Sequence, residues 1–364
     1  MSLLTDLLAQ REQFINADYA YKSNVDKNRL QLLACARLLA KKNHPFFAEA
    51  QPKTVLLALQ QDKSFSPNQQ FLLLQLNATI HDNAGIILER LYQDKESELH
   101  PLASKLALIM KVDDLPLSVK YSQATFNNQL LTCYYRQQWS TLHRVQMSNH
   151  NVSSLTQLYI AVLQESLPSE SELTTDFITL DYINSELFEL YVVRLPFEQV
   201  NKVIELLSID KQNTKLIIKV MALSGYSQFI PLLARYLQDK NHTVDAYNSL
   251  NILLGDQLAL IIPDKVQSNS DQSERIEDLT YYGAKILHLY ESSLIDSLAP
   301  RILMGKNIIK GQLVHVFQFG SQSHRRVASL HFTHCKTRLQ SQNTTQSPLS
   351  HVDVEYYAQP EIVL

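Results

Sequence analysis

Glycine is scarce in this chain, seven in 364 residues, which is about 2% against a usual share of about 7%. Nucleotide-binding α/β folds need glycine at phosphate turns and strand–helix junctions, so the shortage argues against them. Cysteine is nearly absent too. Cys35, Cys133 and Cys335 are far apart, odd in number and contain no CxxC pair, which argues against a disulfide framework and points to a reducing compartment. No long hydrophobic run exists. The longest, such as 71–74 and 258–263, fall far below the ~20 residues that span a bilayer. The opening MSLLTDLLAQREQF has Asp6, Arg11 and Glu12 among its apolar residues and lacks the basic start and unbroken apolar core of a signal peptide. A cytoplasmic protein is therefore expected. Neither sign of charge dominates, with 33 basic and 36 acidic residues and a net charge of −3. That balance gives no reason to expect nucleic-acid or membrane partners. GxSxG, P-loop and HExxH motifs are all missing, and with them three common routes to hydrolytic or phosphoryl chemistry.

What the chain has is helical pattern, with 45% hydrophobic residues and few helix breakers. The clearest stretch is 229–255. Phe229, Leu232, Leu233, Tyr236 and Leu237 gather on one helical face. Asp239-Lys240-Asn241-His242 makes a tight reversal, and a second pattern runs through Val244, Tyr247, Leu250, Leu253 and Leu254. Gly255 stands where a C-terminal cap favours a residue tolerant of the left-handed region. Such a pair cannot bury both apolar faces alone and needs similar neighbours.

Those neighbours are visible as repetition. TVLLALQQDK (54–63), GIILERLYQDK (85–95) and IPLLARYLQDK (230–240) each end an apolar helix in Gln-Asp-Lys, and VIELLSIDK (203–211) is a weaker copy. Asp62 and Asp94 are 32 residues apart, within the period of about 30–45 residues typical of stacked helical pairs. A second helix is expected behind each, at 68–80, 99–111, 213–224 and 244–255. The ordinary role of the Asp is to accept from free amides at the start of the next helix, with Lys solvated beside it.

Four stretches follow from this pattern. Residues 1–115 hold N-terminal helices, at 1–22 and 29–42, and the first repeats. Residues 116–187 form an irregular middle, with helices expected at 127–144, around the lone Trp139, and at 152–164, and no assignable state for 173–185. Residues 188–338 carry the second set of repeats, with an exposed loop at 264–278 and a last pair at 308–319 and 323–335. Residues 339–364 form a polar segment and a terminal cap. The expected fold is all-α, an α-α superhelix of stacked antiparallel pairs.

The 229–255 hairpin resembles a HEAT repeat, through Ile230-Pro231-x-Leu, Asp239 at the turn, and Val244 and Ala246 opening the second helix. It departs at Asp245, where those repeats usually carry the arginine of an Asp–Arg ladder. About a third of the chain, 214–338, is similar to the C-terminal part of a bacterial HEAT-repeat family found in type VI secretion gene clusters. The matching features are Leu223-Ser224-Gly225, Ile230-Pro231-Leu232-Leu233, Ile252-Leu253-Leu254-Gly255-Asp256-Gln257-Leu258, Gly305, Leu313, and the run from Gly320 through His324-Arg325-Arg326 to Ala328. The family's Ala-Pro-x-x-Gln tail is present only in altered form, as Ala358-Gln359-Pro360. The resemblance implies a HEAT-like solenoid and a non-enzymatic scaffold or adaptor, an accessory of a type VI secretion system that binds protein, with no cofactor and no catalytic residues to carry over. HEAT-like solenoids also include alkylpurine DNA glycosylases and chromophore lyases, and these are the alternative readings.

Few constellations could carry chemistry. His324, His331 and Cys335 lie within roughly 40–60° of one another on a helix, with His334 adjacent and His315 on the preceding helix. Imidazole and thiolate suit zinc. The commoner reading is a face of partly buried polar residues, and no metal is expected. Arg325 and Arg326 could fork onto an acidic segment of a partner, and Tyr281 and Tyr282 could mark an interaction surface if exposed. His81-Asp82 and Asp113-Asp114 both precede expected helix starts, where Asp caps rather than catalyses.

Overall fold

The computed structural model describes residues 2–16, 22–47, 52–93, 153–163, 170–267, 271–290 and 298–342, with isolated positions between 99 and 134. The described chain is all-α apart from one very short hairpin. It divides into two compact units, the boundary falling after Leu163, inside the stretch 116–187. Trp139, Asp94, Asp113-Asp114 and the terminal segment 343–364 lie outside the described residues.

In the first unit, α1 (Ser2–Asn16) packs on α2 (Lys22–Lys41) and both pack on α4 (Pro67–His81). α3 (Pro52–Gln61) packs on α5 (Ala84–Gln93). α2 ends as expected before His44-Pro45. Leu4, Leu8, Ala36, Phe47, Leu59, Leu73 and Ile87 fill the core. The polar groups among them are tied to backbone. The Asn28 amide donates to the Leu7 carbonyl at 3.0 Å and the Asn77 amide to that of Phe46 at 3.1 Å. α4 starts on a capping box in which Ser66 and Gln69 exchange hydrogen bonds. α6 (Ser154–Leu163) completes this unit's described helices.

The second unit opens with α7 (Glu170–Thr179), so the unassigned stretch 173–185 is helix and then a turn at Asp181, φ 51°. Two layers follow. α8 (Glu186–Arg194), α10 (Thr214–Ser224) and α12 (Thr243–Leu254) lie side by side. α7 packs on α9 (Phe197–Leu207), α9 on α10, and α11 (Ile230–Leu237) on α12. The pairs α9/α10 and α11/α12 are those the Asp-Lys register implies.

The buried face of α11 is rotated from the expected one. Ile230, Leu233, Ala234 and Leu237 are buried, and Leu232 is exposed. The cause is α15 (Gln272–Leu289), which packs closely on α11. A Cβ on Gly283 of α15 would lie 3.0 Å from the Ala234 carbonyl oxygen. Two small residues at one crossing bring the backbones together, and the larger side chains are turned aside. α15 also corrects the long loop expected at 264–278. Its first turns occupy the end of that stretch, because the Asp271 carboxylate accepts from the Ser273 amide at 2.9 Å and the Glu274 amide at 3.2 Å. Polar composition there reflects a solvated helix face.

The Asp-Lys turns carry a second correction. Asp62 and Asp239 do not cap the following α-helix, and Asp210 caps the single 3-10 turn, 211–213, that runs into α10. Each accepts from the amide two residues on, at 3.0 Å (Ser64), 2.9 Å (Gln212) and 3.0 Å (Asn241). This is an Asx turn, in which a short side chain mimics a backbone turn. The capping role passes to Ser66 ahead of α4, while α12 begins with no side-chain cap.

After α12 the chain runs into the short α13 (Asp256–Ala259) and α14 (Asp264–Gln267). β1 (Ile302–Leu303) and β2 (Lys306–Asn307) pair antiparallel around Met304-Gly305, both with positive φ, the arrangement of a tight two-residue hairpin. α16 (Lys310–Phe319) and α17 (Gln322–Gln342) form the expected last pair, with Phe317 edge-on to Phe332 at 5.8 Å. α17 also packs on α8 and α12. In a simple repeat stack each unit touches only its neighbours, and α17 departs from that rule.

Candidate functional site at the ends of α8, α10 and α12

The last carbonyls of a helix have no partner within it, and three helices here end along one edge. Residues 299–305 and α17 supply the missing donors. At the end of α8, Arg301 donates to the Val193 carbonyl at 3.1 Å and to that of Leu195, its guanidinium lying 4.3 Å from the Tyr226 ring centre. The Tyr226 hydroxyl donates to Leu195 as well, at 3.1 Å. A cation at this position also complements the negative end of the helix dipole. Beyond α10, the Ile302 amide donates to the Gly225 carbonyl at 2.8 Å. At the end of α12, the amides of Met304 and Gly305 donate to the Ile252 and Leu253 carbonyls at 2.9 and 2.7 Å. The chain must come very close here. A Cβ on Gly255, whose φ is 52° and ψ −125°, would lie 3.0 Å from the Met304 Cα. Gly255 is therefore needed both for its backbone angles, which lie outside the left-handed helical region, and for its lack of a side chain.

The histidines singled out in the sequence belong to this edge. His324 Nε2–H donates to the Asn251 carbonyl at 2.8 Å, and Nδ1 accepts from the Ser321 hydroxyl at 2.7 Å and amide at 3.2 Å. A single neutral tautomer satisfies all three contacts. Burial pushes the His324 pKa below its usual value, against the opposing effects of the Asn251 hydrogen bond and the nearby Asp256 carboxylate. His331, fully buried, donates from Nε2 to the Leu223 carbonyl at 2.8 Å. Both His324 nitrogens are thus engaged by protein groups. Among the described residues no three His, Cys, Asp or Glu side chains converge as a metal site. His315 instead lies 4.7 Å from the Phe319 ring on its own helix. The side chains of His334 and Cys335 lie outside the described residues.

Arg326 is turned inward electrostatically though its side chain is 61% exposed. It donates to Glu189 at 2.6 Å, and Lys219 reaches the other oxygen of the same carboxylate at 2.7 Å. Glu189 is only 3% exposed and joins α8, α10 and α17 through one buried charge. Two cations thus share one buried carboxylate. Arg325 is half-buried. Tyr281 is 70% exposed and edge-on to Tyr282 at 5.3 Å, so it is the predicted partner residue with the most open surface. Lys285 lies over the Tyr282 ring. Asp245 pairs with Lys215 of α10 at 3.7 Å, largely in solvent, where such a pair contributes little.

In the first unit, His81 donates from Nε2 to the Phe47 carbonyl at 3.0 Å, and Asp82 is the left-handed residue closing α4 rather than an N-cap. Sequence reasoning missed Glu189, Lys219, Arg301 and Asn251. Only Arg301, next to Pro300 in a stretch without helical period, carried a local signal. Comparison with known family models, curated proteins and solved structures finds no match. No helix among the described residues is long and apolar enough to cross a membrane.

Proposed function

We propose that this chain is a HEAT-like solenoid acting as a non-enzymatic scaffold or adaptor, and that its partner is a component or effector of a bacterial type VI secretion system. The observation that carries the binding role is the side-by-side layer of α8, α10 and α12, locked along one edge by 299–305 and α17. A layer fixed in this way presents a stiff surface with little ordering cost on association. Among the described residues the one buried carboxylate, Glu189, is paired with both Lys219 and Arg326. The secretion assignment rests on the resemblance of 214–338, with Tyr281 and its neighbour Tyr282 as contact residues.

Affinity capture with the tagged full-length protein, from bacteria expressing a type VI system, tests the reading. Recovery of sheath, carrier or effector proteins, weakened by Tyr281→Ala, supports it. Recovery of other proteins alone removes the secretion assignment and leaves the adaptor role. Salt-dependent DNA binding with base release would overturn both.

A further inference from the structure

The contacts that hold α17 are unusual in their dependence on protonation. Two of its side chains, His324 and His331, are buried and donate into the ends of α12 and α10 from seven residues apart on one helix. His324 accepts at Nδ1 from the Ser321 amide, a group that can only donate. A proton on Nδ1 would set two donors against each other. The Ser321 hydroxyl can rotate to accept, but the amide cannot.

We infer that α17 is a protonation-controlled latch: it is docked on the end of α12 while His324 is uncharged, and acidification through the imidazole range loosens it there.

The charged surroundings are mixed. Asp256 of α13 acts on the His324 ring, and the elements that meet α17 carry Asp245 on α12, Lys215 and Lys219 on α10, Glu186, Glu189 and Arg194 on α8, and His315 on α16, with Arg325 and Arg326 on α17 itself. Asp245 is engaged by Lys215, and Glu189 by Lys219 and Arg326. Asp256 draws a proton toward His324, and burial opposes it more strongly. The folded state therefore binds that proton less well than the unfolded chain. Its stabilising effect is complete above the unfolded imidazole value, about 6.5, and is lost as pH falls from there. The Glu189–Arg326 contact involves no imidazole, so α17 loosens at its His324 contact while remaining tethered to α8.

The test uses the full chain. Nitrogen-edited NMR of the histidine rings reads tautomer and protonation directly, and thermal midpoints are compared at about pH 7.5 and about 5.5. The expected results are a neutral Nε2–H ring at His324 with a titration point below about 6.5, and a wild-type midpoint lower in acid by roughly 2–4 °C. Part of that drop is expected to vanish in His324→Gln, since Gln can still donate to the carbonyl but does not titrate, and His331→Gln serves as the comparison. Should either variant fail to fold, hydrogen exchange in the wild type decides. Protection at Ile302, Met304 and Gly305 is expected to fall in acid ahead of protection in α9. A His324 ring that titrates at or above its free value, an acid effect unchanged in His324→Gln, or a uniform loss of protection would each overturn the latch.

Discussion

The two ends of the α8, α10 and α12 layer are built on opposite principles. At the turns that enter α10 and α12, the fixing contacts are local, with Asp210 and Asp239 each accepting from an amide two residues on. At the exit end the contacts cross 73 residues from His324 to Asn251 and 108 from Arg301 to Val193. A local turn forms at almost no entropic cost of loop closure, whereas a distant contact appears only once the intervening chain is placed. The entry end can therefore repeat as a short sequence signature, and the exit end cannot.

The largest effect is expected at the exit end, from Gly255→Val. A β-branched side chain there is strained by the backbone angles and meets Met304, so a loss of about 3 kcal/mol or more is expected in urea unfolding. The paired replacement Lys219→Met with Arg326→Met leaves the Glu189 carboxylate buried without a cation. About 2–4 kcal/mol is the expected loss, with the lower part of the range favoured because both cations are partly solvated. Glu189→Gln, which removes the charge instead of stranding it, is expected to cost clearly less. Arg301→Met deletes two carbonyl contacts and the stacking on Tyr226, for about 2 kcal/mol. Smallest are the entry turns. Asp62→Ala, Asp210→Ala and Asp239→Ala are each expected to cost about 0.5–1 kcal/mol and to combine additively, since they sit in separate turns. If the Asx turns proved as costly as Arg301, the contrast between the ends would fail.

Legibility in the sequence follows the same division. The pairs α9/α10 and α11/α12 could be read because apolar periodicity and the Asp-Lys turn are properties of adjacent residues. The capping role assigned to those Asp residues was displaced at Asp62 and Asp239, because residue type does not say which amide an Asp accepts from. The face of α11 was displaced by one position because Gly283, almost 50 residues on, sets how near α15 comes. His324 and His331 were visible as a pair on one helical face, but spacing alone does not distinguish a ligand set from two donors aimed at different carbonyls. Arg326 looked available for a partner because Glu189 lies far off in the chain. The start of α15 was legible in Asp271-x-x-Glu274 and was obscured by its polar composition.

By itself, the sequence determined that the described chain is helical and that α9/α10, α11/α12 and α16/α17 form pairs, whereas the pair expected from 54–63 and 68–80 gave way to packing of α3 on α5. Those properties follow from periodicity and from side chains that bond their own backbone. Tertiary structure alone decided that the second helices α8, α10 and α12 end on a common edge, which residues close it, and that a buried carboxylate joins three of the helices. Unpaired carbonyls and a buried charge make these contacts obligatory once the helices are packed, and their partners are chosen by proximity in space, which no short stretch of sequence encodes.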